Sequence, residues 1–186
     1  MHMAPHAKVW TVDDLADLPD DGQRYEVIDG ELLVTPAPAL RHQAAVLQLA
    51  KLLMPYLDRE PVGQLTISPA DIRFSKHRGV QPDLFVAPFV NGSRPRQWSD
   101  IRQLILAVEV LSPSSIRADR VVKRAMYLDQ RVPQYWVVDL DARAFERSAP
   151  ENDQVDVLTD RLEWHPDGAS QPLIIDIHQF FRDVLD

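Results

Sequence analysis

The segment LILAVEVL, Leu104 to Leu111, constrains the fold more than any other stretch. Its apolar, β-prone residues read as a buried strand, yet Glu109 stands inside it. A carboxylate desolvated there without partners costs several kcal/mol, so it must be paired, protonated or bound to a cation. If that sheet face were exposed, the glutamate would instead pair with an arginine. The question is what surrounds Glu109.

Turn chemistry and hydrophobic spacing outline the rest. Thr11 is a plausible N-cap for a short helix over Asp13 to Leu18, stopped by Pro19. RYEVIDGELLVT predicts a hairpin, because Asp29-Gly30 is a type I′ turn signal; Glu26 lies on its first strand. Val46, Leu47, Leu49, Ala50, Leu53, Met54 and Leu57 have helical spacing and predict a long helix from Leu40 to Asp58. QLTISPADIRFS is strand-like with a break at Pro69, VQPDLFVAPF is a short strand introduced by proline, and QYWVVDL is a third. SPSSIRADRVVKRAMYLDQR predicts a helix capped by serines and stopped near Val132-Pro133. The chain closes with smaller strands and a short amphipathic helix in IIDIHQFFRDVLD. This order is that of an α/β domain whose sheet is flanked by helices.

Composition narrows the function. The chain has 28 acidic against 20 basic residues, a net charge of -8, which repels a phosphate backbone at long range but leaves room for an acidic site neutralised by a cation. Cysteine is absent, which rules out disulfides and thiolate metal sites and permits a cytoplasmic location. No apolar run approaches the ~20 residues needed to cross a bilayer, and MHMAPHAKVW lacks the core of a secretion signal. His2 and His6 read as solvent-exposed terminal residues rather than ligands. No glycine-rich phosphate loop or Ser-His-Asp signature occurs, and the serines of SPSS are explained by capping.

Three elements of the sequence could carry chemistry. Asp83 follows a proline that belongs at a strand start, which places it at a rim open to a ligand; an ordinary turn aspartate is the alternative. Glu109 is the second acid. Asp119, Lys123 and Tyr127, each four residues apart, share a helix face, either as a routine surface pair or, since the helix starts close after Glu109, laid over the end of its strand. Two carboxylates and a lysine form a minimal site for metal-assisted phosphodiester hydrolysis, and oxygen donors suit Mg²⁺ or Mn²⁺ rather than zinc.

QPD at Gln81 to Asp83, VEVLSPSS at Val108 to Ser115, the D-x-x-x-K-x-x-x-Y of Asp119, Lys123 and Tyr127, VPQYWVVD at Val132 to Asp139 and RYEVIDGELLVTPAPALRHQ at Arg24 to Gln43 together resemble the Uma-two family of restriction endonucleases, within the PD-(D/E)XK nuclease superfamily. The resemblance implies a restriction-endonuclease-like core, a central mixed β-sheet flanked by helices. It implies one such domain over residues 1–186, with a core of about 24–140 and a C-terminal extension over 141–186. Asp83 and Glu109 then match the metal-binding acids, Mg²⁺ is the expected cofactor with Mn²⁺ as a substitute, DNA is the expected substrate and a homodimer the expected assembly. Leu111 stands where the superfamily has the lysine of E-x-K, and Lys123 matches the relocated lysine of the family. Glu26 is similar in position to an N-terminal acid that supplements the metal site, or is a surface residue of the hairpin. His42 matches a family histidine that caps, packs or contacts substrate, and Tyr127 shapes the pocket. Arg131 replaces the family's glycine before VP. The missing E-x-K lysine and the negative charge also admit a nuclease-fold binding or assembly module with weak or no catalysis; a purely structural domain with a salt-bridged Glu109 is a third reading.

Overall fold

The structure, a computed structural model, describes residues 8–186. His2 and His6 lie outside the described residues. Thr11 caps a 3₁₀ turn, Val12–Asp17, reciprocally with Asp14. Strands β1 (Arg24–Ile28) and β2 (Glu31–Thr35) form the expected hairpin. Asp29 and Gly30 both have positive φ, 51° and 84°, as a type I′ turn requires. A Cβ on Gly30 would also stand 2.7 Å from the Val9 side chain, so the position admits only glycine without a shift. Helix α1 spans Leu40–Arg59, and β3 (Gly63–Ile67), β4 (Ile72–Ser75), β5 (Arg78–Val80), β6 (Leu84–Pro88) and β7 (Leu106–Val110) follow.

Strand β7 pairs in parallel with β8 (Gln134–Asp139), which obliges the intervening chain to cross a sheet face. That crossover carries a π-helical turn, Ala118–Lys123, leading into α2 (Arg124–Asp129). The π turn is absent from the helix expected of the sequence. The crossover ends at Arg131, φ 54°, with Val132 N donating to Tyr127 O and Arg131 N to Leu128 O, each at 3.0 Å, a Schellman pair. Strands β9 (Ala144–Ala149), β10 (Asn152–Leu158), β11 (Arg161–Trp164) and β12 (Leu173–Asp176) and helix α3 (Ile177–Leu185) complete the chain.

The main sheet runs β10-β9-β8-β7-β6-β3, mixed through its one parallel pair; β2-β1-β5-β4 form a second sheet and β11-β12 a small third. Alternation along the strands divides the core in two. Leu84, Val86, Leu106, Val108 and Trp136 meet α1 and α3 on one face. Phe85, Ala107, Tyr135 and Val137 meet α2 and the second sheet on the other. With both faces covered, β7 is apolar except at Glu109, which belongs by period to the face under α2. Among the described residues, no helix is long and apolar enough to cross a membrane.

Candidate active site

The register Leu84↔Val108 makes Asp83 and Glu109 the next opposed positions at one end of the β6–β7 pair. Because Pro82 has no N–H and β6 starts at Leu84, the ladder ends here and the Val110 amide turns to a side chain. It donates to Asp83 Oδ2 at 2.8 Å. The same oxygen accepts from His42 Nε2 at 3.0 Å, leaving His42 Nδ1 without a partner. An Arg24 guanidinium nitrogen stands 2.8 Å from Asp83 Oδ1, near enough for an ion pair but without hydrogen-bond geometry. Asp83 is thus only 3% exposed, not the open rim residue the sequence suggests. Burial pushes its pKa up, but His42, Arg24 and the Val110 amide together outweigh burial and hold it at about 2.

Glu109, 1% exposed, accepts from Lys123 Nζ at 3.0 Å and Tyr127 OH at 3.3 Å, so its partner is the helical lysine and not an arginine. Lys123 Nζ also lies 2.9 Å from Glu26 Oε2 and 3.5 Å from Asp119 Oδ1. Glu26, fully buried, accepts from Gln81 N at 2.7 Å through its other oxygen. It therefore stands behind the lysine rather than at the open side of the site. Tyr127 is buried against the Tyr135 ring, centroids 4.8 Å apart; burial first, then Glu109 and Glu26, raise its hydroxyl pKa far above the usual value. It serves as a hydrogen-bond donor, not a proton acid.

Four buried acids, Glu26, Asp83, Glu109 and Asp119, face two permanent cations, Arg24 and Lys123. Burial first, and then the excess of negative charge, sets the protonation pattern. Desolvation drives Glu109 well above the ordinary carboxyl value; Lys123 opposes this only in part, and the other three acids add to it. Desolvation likewise raises Asp119, against Lys123 and the Ser115 side chain. Burial would strip Lys123 of its proton, but Glu109, Glu26, Asp119 and Asp83 outweigh it and raise its pKa well above the usual lysine value.

Asp83, Glu109, Asp119, Lys123, Arg24 and His42 line one cavity of 160 Å³ together with residues 36–39 and 112–115. Larger grooves, such as the 920 Å³ one along Gln134 and Trp164, lie away from these acids. The cavity suits a hydrated hard cation. Asp83 Oδ1 and Asp119 Oδ1 are buried without hydrogen bonds, and a double positive charge would balance the acids. Among the described residues no three His, Asp or Glu side chains are grouped to hold an ion unaided.

The five expected residues, Asp83, Glu109, Lys123, Glu26 and Tyr127, thus fall in one cluster. Arg24 joins them although nothing in its local sequence marks it; only its place at the head of RYEVIDG could have drawn notice. A family model described as "Putative restriction endonuclease", Uma2, matches residues 12–174. The fold is similar to a crystal structure of a "putative nuclease" from Anabaena variabilis, with TM-score 0.77 and 20% identity over 94% of this chain and 99% of that one. No curated protein matches the chain in sequence.

Proposed function

Because the chain belongs to the Uma2 (Uma-two) family of restriction-endonuclease-like proteins, we propose that it is an Mg²⁺-dependent endonuclease that hydrolyses phosphodiester bonds of DNA, acting in the cytoplasm as a homodimer. The observation that carries the reading is the convergence of Asp83, Glu109 and Lys123 on one buried cavity. A divalent ion on Asp83 and Glu109 would acidify water and offset charge developing on phosphorus, with Mn²⁺ able to substitute. The acids around Lys123 raise its pKa well above the usual lysine value in the metal-free site, which favours a charged role over a general base. The lysine acts as a fixed cation that orients the attacking water and hydrogen-bonds the phosphate oxygens as the bond to the leaving oxygen breaks. Glu26 holds the lysine and Tyr127 holds Glu109; Arg24 and His42 keep Asp83 ionised and aimed.

The test is cleavage of supercoiled, linear and single-stranded DNA by purified protein with Mg²⁺ or Mn²⁺. Asp83→Asn and Glu109→Gln are expected to abolish cleavage, and cleavage that survives both would sink the proposal. A second reading, a nuclease-fold binding module, is favoured by one feature: Lys123 and Arg24 already occupy the acids, so an incoming ion must compete. It predicts retained nucleic acid or protein partner with no cutting under any of these conditions.

A further inference from the structure

Asp119 is buried like a core residue but bonded like an unfinished ligand. It is 2% exposed, yet its Oδ1 receives no hydrogen bond, and the Lys123 ammonium stands off at 3.5 Å. The residue lines the same cavity as Asp83 and Glu109. The helix geometry accounts for its direction. In an unbroken α-helix, positions eight residues apart drift by about 80°, so Asp119 would turn away from the line of Tyr127. The π turn Ala118–Lys123 absorbs one extra residue and returns Asp119 to the face that carries Lys123 and Tyr127. The turn is pinned at that residue: the Asp119 carbonyl accepts from the Arg124 amide and, at 2.9 Å, from Tyr135 OH.

We infer that Asp119 is a third acidic member of the cation site, joined to Asp83 and Glu109 through the water shell of the ion, and that the π turn serves to aim it there. The inference rests on the metal-dependent reading above. Contact through water follows from two facts: the donors are not grouped for direct chelation, and Mg²⁺ keeps several waters.

The experiment is a calorimetric titration of Mn²⁺ into wild-type protein, Asp119→Asn and Glu109→Gln, with thermal unfolding of each in EDTA. Asp119→Asn is expected to weaken Mn²⁺ binding about tenfold, as loss of an outer-shell partner does. Its metal-free melting temperature should stay the same or rise, since a buried like charge is removed. Unchanged affinity in Asp119→Asn, beside loss in Glu109→Gln, overturns this inference while the metal reading stands. Lower metal-free stability with normal affinity marks a structural role and overturns it too. A wild-type protein that takes up no Mn²⁺ overturns both. Should Asp119→Asn fail to fold, anomalous scattering from Mn²⁺ in wild-type crystals decides: an ion about 4 to 5 Å from an Asp119 oxygen, one water away, supports the inference, and a more distant one ends it.

Discussion

Lys123 is a core residue by burial and a surface residue by chemistry, and the three acids around it resolve the contradiction. Replacing it with methionine leaves those acids without their shared cation, a change that costs about 3–5 kcal/mol when one partner of a buried pair is removed. Urea unfolding of Lys123→Met near neutral pH is expected to show a loss of that size, shrinking in acid as the carboxyls take up protons. Glu109 predicts a pH dependence of unusual sign. The folded protein holds the Glu109 proton more tightly than the unfolded chain, whose glutamates titrate at about 4.3, so metal-free stability falls as pH rises from there through the elevated folded value. Asp119 adds to that slope, whereas Asp83, depressed to about 2, withdraws its stabilisation only at lower pH. Unfolding midpoints measured in EDTA at several pH values should decline as pH rises above the ordinary glutamate range, and Glu109→Gln should flatten the decline. Glu109 was legible in the sequence because an acid in an apolar strand has few explanations. Arg24 and the burial of Asp83 were not, since each depends on the second sheet meeting the end of β6, which no local pattern encodes.

Elements were readable wherever local chemistry decides them. The Asp29-Gly30 turn and the span of α1 follow from backbone preference and apolar spacing. The π turn left no such trace: Ala118–Lys123 reads as ordinary helix, and its extra residue is stabilised by Tyr135 from β8, a contact made only after the crossover has packed. At the other end of that crossover, Arg131 takes the left-handed conformation at a Schellman C′ position, where a side chain is strained and glycine is not. The Arg131 side chain helps to lower the pKa of exposed Asp129, a surface attraction too weak to offset the strain. Arg131→Gly is therefore expected to stabilise the protein by up to about 1 kcal/mol, read as a shift in urea midpoint without a change in slope. Metal affinity should be unaltered, because the substitution leaves every cavity-lining side chain in place.

At the scale of the molecule, the sequence motifs stop at Asp139 but the core does not. Strands β9 and β10 extend the main sheet beyond β8, and Phe145, Leu162, Trp164, Phe180 and Phe181 are buried in the same cluster as Trp136 and Val138. The rings interlock: Trp164 lies edge-on to Trp136 at 5.8 Å, and Phe145 packs on both Phe180 and Phe181. Ending the chain at residue 140 would remove these five side chains, each stabilising the fold by roughly 1.5–3 kcal/mol through burial, a total on the order of the whole stability of a domain this size. It would also leave β8 as a bare edge strand with Trp136 and Val138 uncovered, a template for aggregation. The truncated chain is expected to lose its near-ultraviolet circular dichroism and cooperative melting, and with them the alignment of β7 under the crossover that holds Lys123 on Glu109. If the 140-residue chain instead melts cooperatively and keeps its Mn²⁺ affinity, the C-terminal strands are an appendage and the cation site stands on the motif-bearing segment alone.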